Sequence, residues 1–498
     1  MKYPVGIQDF RVIREGDYVY VDKTEQIFNV VDGGKYFFLS RPRRFGKSLT
    51  LSTMNELYSG SRELFSGLWI EDKWDWEANV RPIIWLKFAS MDHATLGLER
   101  ALWRIIKIYG DEMGVPLAGE SLPLDFDTLI KGMAKRHGRV VLLVDEYDKP
   151  IIDHLGDTEP AEANRQLLKR FYAVLKDNDP NLELVFITGV AAFSKVSLFS
   201  DLNNIANISL SHEGRTLVGI TQAELDDVFG ERLKLVDREK VRQWYNGYSW
   251  GGPEKVYNPF SILRFLKHFE YQNYWFETGS PSFLVEEMRK QRYYDIGRIT
   301  VGLEQLITFR LDQLDPIAVL FQTGYLTIVE SEPGAYVLDY PNREVRESLH
   351  RFLLNVYLDY PLFHPAPKVL DLRNALRQKD LDAVFRIINS LFADLPYDFW
   401  HRDDEHFFHA LIHLTFSLLG VYIRSEVHSA HGRCDALVET DDYVYAFEFK
   451  RDRPAAEALA QIRERGYLAG FAGDEREVMG VGVSFDSEAK QVANWEVE

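Results

Sequence analysis

The segment from Arg41 to Thr50, Arg-Pro-Arg-Arg-Phe-Gly-Lys-Ser-Leu-Thr, constrains this chain more than any other. It follows the apolar run Tyr36-Phe37-Phe38-Leu39, which reads as a buried strand, and leads into Leu49–Tyr58, which reads as a helix. That order puts Gly46, Lys47 and Ser48 at a helix N-terminus, where backbone N–H groups, an ammonium and a hydroxyl can meet nucleotide phosphates and Mg²⁺. The phosphate-loop pattern G-x-x-x-x-G-K-[ST] asks for glycine where Arg41 stands, so this loop has to turn on residues that carry a Cβ. Read without its flanks, the stretch is only a basic surface loop with Arg41, Arg43, Arg44 and Lys47 solvated.

A second apolar run, Val140 to Val144, ends in Asp145-Glu146-Tyr147-Asp148. In open α/β sheets ligands collect at the carboxyl ends of strands, so Asp145 is placed to hold Mg²⁺ and Glu146 to polarise an attacking water. The plain alternative is that acids after a strand begin a polar loop. Between the two segments lie a buried strand, Ile83 to Phe88, and a covering helix over 95–109. Strand alternating with helix predicts a mostly parallel sheet with helices on its faces. Leu184 to Thr188 supplies another strand, with Thr188 either beside the γ-phosphate or merely closing the strand, and Asn207 to Leu210 a fifth. Tyr18-Val19-Tyr20-Val21 and Asp22-Lys23-Thr24 precede a helix through Val31, and capping by Asp22 or Thr24 is favoured over contact with a nucleotide base. Thr221 with Glu224 three residues on has capping-box spacing.

At 498 residues the chain exceeds one ordinary core and implies roughly two to four domains. Hydrophobic residues at 46% and aromatics at 13% mark it as folded over most of its length. The lone cysteine, Cys434, excludes an intramolecular disulfide and a multi-cysteine metal centre and fits a reducing compartment. The stretch Met1 to Gly6 lacks a signal peptide's apolar run, and no apolar run reaches membrane-spanning length, so the expectation is a cytoplasmic protein without a membrane partner. A net charge of −18 argues against a general polyanion binder. Contact with nucleic acid then has to run through a restricted patch or through cations that screen the carboxylates.

From Asp403 the pattern changes. Glu405 to Leu419 is an amphipathic helix, Val421 to Val427 a strand containing Glu426, and Arg433 to Glu439 a strand with Asp435 near its start. Tyr443 to Lys450 follows after a turn. Alternation puts Glu448 and Lys450 on one face of that strand and Tyr445, Phe447 and Phe449 on the other. An acid and an amine on a greasy strand are costly to bury without partners. Asp435 on the preceding hairpin strand reaches the same patch. Two carboxylates can hold Mg²⁺ or Mn²⁺, and the ammonium can position water for attack on a phosphodiester. Spacing alone leaves a surface salt bridge between Lys450 and Glu448 or Asp435 equally open.

Ser40 to Ser48, Tyr20 to Thr24, Asp145 to Asp148, Phe193 to Ser197, Trp244-Tyr245-Asn246-Gly247-Tyr248 and Tyr257-Asn258-Pro259-Phe260-Ser261 together resemble one family: bacterial AAA-ATPase-like proteins with a C-terminal PD-(D/E)xK nuclease-superfamily domain. The likeness covers nearly the whole chain. In that family arginine is usual at the first glycine position. The resemblance implies an α/β P-loop ATPase of the AAA/ASCE type, with an extra strand between the phosphate-loop and acidic strands. It implies ATP and Mg²⁺ as cofactors. Arg43, Arg44, Phe45, Gly46, Lys47, Ser48, Leu49, Asp145 and Thr188 would surround the nucleotide, with Ser48 and Asp145 at the metal and Glu146 as base. It also turns the second constellation into a restriction-endonuclease-like α/β domain, with Asp435 and Glu448 at a metal and Lys450 catalytic. Cys434 stands where the proline of the family's name would be. Gln461 and Tyr467 resemble a Gln/Tyr feature of recombination-type nucleases, against the alternative of plain helix surface. Glu405 and Glu426 are weaker candidates for a second metal or its water. Arg215 is the residue named, without further support, as an arginine completing a neighbour's site.

The expected organisation is an ATPase domain over 1–230, a helical lid and connector with a winged hairpin over 231–395, and a nuclease-like domain over 396–498. The expected function is ATP hydrolysis joined to Mg²⁺-dependent cleavage of nucleic acid, DNA before RNA, in DNA processing or defence, with oligomers formed through the ATPase domain. Against it stands an ATP-dependent switch whose nuclease-like domain binds nucleic acid or a protein without cutting.

Overall fold

A computed structural model describes residues 2–154, 157–191, 204–275, 288, 296–307, 315–357, 367–393, 405–419, 424–426 and 435–498, with the backbone alone at 307, 356, 357, 367, 405–410 and 424–426. Phe193 to Ser197 and Cys434 lie outside the described residues, as does most of the strand expected over 421–427. The chain divides into two compact units. One is Met1–Gly279 with Gly297–Val345; the other is Ser280–Ile296 with Arg346–Glu498.

The first unit is built on a parallel sheet of β1 (Tyr36–Ser40), β2 (Ile83–Lys87), β3 (Val140–Asp145), β4 (Leu182–Gly189) and β5 (Ala206–Asn207), in the order β2-β3-β4-β1-β5. Val140 to Val144 are fully buried, as a parallel strand covered on both faces requires. Because β4 lies between β1 and β3, the loop after β1 and the acids after β3 sit two strand spacings apart, about 10 Å, at one end of the sheet. The fifth strand is shorter than expected. Ser209 leaves the ladder because its hydroxyl, rather than its backbone, accepts the Ser40 N–H at 2.9 Å. The helix expected over 95–109 is split at Gly97, in the left-handed region at φ 77°, into His93–Leu96 and Leu98–Glu112. The Thr221–Glu224 capping box forms as predicted.

Phe229, Trp244, Tyr245, Tyr257 and Ile262 form a cluster onto which Tyr3, Val5, Val19 and Val21 of the N-terminal segment pack. Residues 231–279 and 297–345 belong to the first unit. β6 (Ile220–Thr221) pairs with β7 (Val256–Tyr257). β8 (Ile299–Gly302), β9 (Thr327–Glu332) and β10 (Ala335–Asp339) form an antiparallel sheet that includes the β9–β10 hairpin.

The second unit carries a mixed sheet, β11 (Arg424–Glu426), β12 (Ala436–Glu439), β13 (Tyr443–Arg451), β14 (Glu477–Asp486) and β15 (Gln491–Val497), in chain order. Only β13 and β14 run parallel, joined by the helix Ala455–Arg465. Tyr445, Phe447 and Phe449 stack along one face of β13, with centroids 5.8 and 6.4 Å apart. Val444 and Ala446 on the other face pack against Leu459 and Ile462 of that helix. Among the described residues no helix is long and apolar enough to cross a membrane.

Candidate active sites

The phosphate loop turns at two left-handed residues, Arg44 (φ 66°) and Gly46 (φ 100°), before the helix Lys47–Tyr58 begins. Gly46 is demanded by its backbone angle rather than by crowding, since a Cβ there would meet nothing within 4 Å. Position 41 needs no left-handed residue; it needs a donor. The Arg41 side chain is 1% exposed and donates to the carbonyls of Ser40 (2.8 Å), Ser209 (2.7 Å) and Gly214 (2.7 Å), with its guanidinium 3.8 Å from the Trp250 ring. Lys47 is also buried, and its Nζ donates to the carbonyls of Arg41 (2.8 Å) and Pro42 (3.0 Å). The reading as a solvated basic loop therefore fails for Arg41 and Lys47; only Arg43 and Arg44 are exposed. Burial pulls the Lys47 ammonium below its usual pKa, and the charges of Asp145, Glu146 and Asp148 oppose that. Phe45 packs edge-on against Tyr248 and Trp250, so Tyr248 of the Trp244–Tyr248 motif serves packing.

At the end of β3, Asp145 is 8% exposed and accepts the Thr188 hydroxyl at 2.9 Å. Thr188 is fully buried and also bonds the Val144 carbonyl, so it sits behind Asp145 and orients that carboxylate rather than facing a phosphate. Glu146, half-buried, adopts the left-handed region at φ 54°, a strain of roughly 1 kcal/mol of the kind stored at functional sites. It lines a polar cleft of about 400 Å³ with Arg43, Arg44, Asp148 and Lys149. Ser48 and Leu49 lie half-buried on the first helical turn after Gly46.

Asp148 was not singled out from the sequence. It is 1% exposed and accepts the backbone N–H groups of Val190 (2.8 Å) and Ala191 (2.6 Å) at the end of β4. Burial pushes its carboxyl up to about 6, against the pull of those amides and of the Lys47 charge. Gly189 makes this close approach possible, because a Cβ there would lie 2.5 Å from the Tyr147 ring.

A second, smaller pocket of about 90 Å³ adjoins the loop. Gly46, Leu49 and Thr50 line it together with Val19, Leu217 and Pro259. The described residues that line it are mostly apolar, though Lys23 is among them, and its walls suit a flat heterocycle. The N-cap expected at Asp22 or Thr24 falls instead on Lys23, which makes no side-chain cap, and Thr24 is already the first residue of the helix Thr24–Gly33; Asp22 steadies the entry to it, accepting the Thr24 amide (2.9 Å) and hydroxyl (2.7 Å) and the Trp69 amide (2.7 Å). Tyr20 and Val21 nevertheless form part of the pocket wall. The aromatic run was the available signal; its partners lie some two hundred residues away in sequence.

In the second unit, Glu448 and Lys450 share a face of β13 as alternation requires. Lys450 Nζ lies 3.0 Å from Glu448 Oε1, so the ion pair exists. It is not a surface bridge: Glu448 is 4% exposed, and Gln461 on the helix above ties both groups together. Gln461 accepts from Lys450 at 2.6 Å and donates to Glu448 Oε1 and to the Tyr467 hydroxyl (3.2 Å). Asp435 stands just before β12 and accepts the Phe449 amide at 2.7 Å. Burial, then the Asp435 charge, push the Glu448 carboxyl up to about 7, against the pull of Lys450. Among the described residues its Oε2 is buried without a hydrogen-bond partner. That orphaned oxygen, beside a second acid, fits a divalent cation. Among the described residues no three His, Cys, Asp or Glu side chains converge, so two carboxylates are the charged ligands on offer, as Mg²⁺ sites that keep several waters allow.

Glu405 and Glu426 have side chains outside the described residues. Arg215 donates to the Trp250 carbonyl at 3.3 Å and packs on Gly252.

Residues 4–199 match the family model described as a predicted AAA-ATPase, and residues 403–495 match that of the PD-(D/E)XK nuclease superfamily. The chain is also 37% identical, over 100% of its length and 99% of the relative's, to a protein of Azotobacter chroococcum mcd 1 described as an uncharacterized protein in the vnfD 5′ region.

Proposed function

The chain belongs to the family of predicted AAA-ATPases that carries a C-terminal PD-(D/E)XK nuclease-superfamily domain, and from that premise we propose that it hydrolyses ATP at the phosphate loop and cleaves nucleic-acid phosphodiesters at the C-terminal site. At the first site Lys47 exchanges its loop carbonyls for phosphate oxygens, with Arg43 and Arg44 beside them. Ser48 and Asp145 hold Mg²⁺, with Thr188 keeping Asp145 in register, and Glu146 takes the proton of the attacking water. The base lies in the largely apolar pocket beside Gly46.

At the second site Asp435 and Glu448 hold Mg²⁺, or Mn²⁺, which when bound supplies Lewis-acid polarisation of the scissile phosphate. Lys450 positions the water and balances charge on the phosphate oxygens, and Gln461 fixes Lys450 against Glu448. The observation that carries this reading is the buried, unpartnered Glu448 Oε2 beside Asp435 and Lys450. The chain acts on DNA in preference to RNA, in DNA processing or defence, and assembles through its ATPase part, readings that rest on the family resemblance, and it does so in the cytoplasm, a reading that rests on the lone cysteine and the lack of a long apolar run.

The test is incubation of the purified protein with single- and double-stranded DNA and RNA, with Mg²⁺ or Mn²⁺ against EDTA, and with and without ATP. Metal-dependent cutting absent from Lys450→Ala is expected. Wild type that cuts no more than Lys450→Ala overturns the nuclease half and favours a switch that binds without cutting.

A further inference from the structure

Three successive loop carbonyls are held from behind. Lys47 takes those of Arg41 and Pro42; that of Arg43 receives two side-chain donors, Asn258 Nδ2 and Trp275 Nε1, each at 3.4 Å. Both donors are themselves tied to one buried acid. Glu344, 1% exposed, accepts the Trp275 backbone N–H at 2.8 Å and, through the same Oε1, the Ser261 hydroxyl at 3.0 Å. Ser261 sits on the first turn of the helix Pro259–His268, which Asn258 caps through Oδ1. The contacts close a circuit: Arg43 carbonyl, Asn258, Ser261, Glu344, Trp275 and back to the same carbonyl. Phe260, on the same turn, lies 3.9 Å beneath the Arg44 guanidinium.

A planar trans peptide points its C=O and the following N–H in opposite directions. Donors on the Arg43 carbonyl therefore turn the Arg44 N–H away from themselves, and left-handed Arg44 follows in the arrangement by which successive amides form an anion-binding concavity. We infer that Asn258, Trp275 and Glu344 are positioning residues of the nucleotide site, holding the Arg43–Arg44 peptide so that its amide is presented to the phosphates before they arrive. The inference rests on the proposed ATP site and names what organises it. None of the three touches the phosphates.

The variants that isolate this role keep the fold's other contacts. Asn258→Asp retains the Oδ1 cap but loses the amide donor; Trp275→Phe retains an aromatic ring but loses Nε1–H. Glu344→Gln keeps an Oε1 acceptor for the Trp275 amide and the Ser261 hydroxyl, whereas Glu344→Ala removes it. Each is titrated with ATP and with ADP, in Mg²⁺, by thermal shift, and ATPase KM and kcat are measured alongside. In the Asn258→Asp/Trp275→Phe pair, and in Glu344→Ala, the nucleotide midpoint and KM rise about tenfold while kcat stays within about threefold. Glu344→Gln stays close to wild type. A folded double variant that melts lower without nucleotide yet keeps the wild-type midpoint and KM makes these residues merely structural and overturns the inference. Lys47→Ala separates the two levels: if wild type shows no nucleotide shift that Lys47→Ala abolishes, the ATP site itself is wrong, whereas an intact shift with unaltered double-variant affinity defeats only the positioning role.

Discussion

The two sites use the same materials, acids and a lysine gathered at strand ends, and leave opposite things unsatisfied. In the first unit Lys47 is spent on carbonyls of its own loop, while the acids near it are already engaged, Asp145 by Thr188 and Asp148 by two amides. In the second, Lys450 is paired directly with Glu448, and it is the acid that keeps an oxygen without a partner among the described residues. Main-chain carbonyls are weaker partners for an ammonium than phosphate oxygens, so the first site is arranged to exchange them for an anion. The second holds two carboxylates against one ammonium, the balance that the proposed cation would redress. The difference teaches that a Lys-acid cluster is read by which group is left underserved, more than by its composition.

The sharpest way to break this contrast is Glu448→Gln. Removing a charged ligand should lower cutting on the order of a thousandfold or more, and abolish any Mn²⁺-dependent rise in melting temperature. Because the buried charge is incompletely compensated in the metal-free protein, the variant should melt no lower than wild type without metal. A lower metal-free melting temperature with cutting retained would make Glu448 a structural salt-bridge partner.

Gln461→Ala comes next. It leaves both acids and the ammonium in place but removes the amide that joins Lys450 to Glu448, so a loss of about 10–100-fold is expected, the range for a residue that orients a ligand. An unchanged rate would mean that the Lys450–Glu448 pair holds its geometry without help.

The smallest effect is a slope. A carboxyl raised from 3.8 to about 6 binds its proton more tightly folded than unfolded, so the stability Asp148 contributes is present below about pH 4 and is lost as pH rises to about 6, by at most about 3 kcal/mol. Asp148→Asn cannot titrate. Chemical denaturation between pH 4 and 7 should therefore show wild type falling relative to Asp148→Asn as pH rises, whatever constant offset the substitution adds through the Val190 and Ala191 amides. Parallel profiles would show that Asp148 stays ionised throughout, held by Lys47 as its counter-charge.

Both sites were legible to the extent that neighbours in sequence decide them. The strand, the loop and the helix around Gly46-Lys47-Ser48 follow from an apolar run and a helix start, and Thr221 announces its capping box. Strand alternation alone puts Glu448 with Lys450 and stacks Tyr445, Phe447 and Phe449 on the opposite face. These patterns have periods of two to four residues, so they survive without knowledge of the fold.

The partners that give those side chains their roles come from far along the chain. Thr188 stands behind Asp145 only because β4 enters between β1 and β3; Arg41 replaces a glycine because the Ser209 and Gly214 carbonyls fold over it. The apolar pocket by Gly46 joins Val19 to Leu217 and Pro259, and Gln461 reaches Lys450 from a crossover helix. What the sequence by itself determined is which residues share a face or begin a turn, because backbone geometry repeats over a few residues. Which carboxylate is paired, buried or left with an unused oxygen was decided only by the tertiary structure, since burial and long-range hydrogen bonds exist only once distant segments have packed.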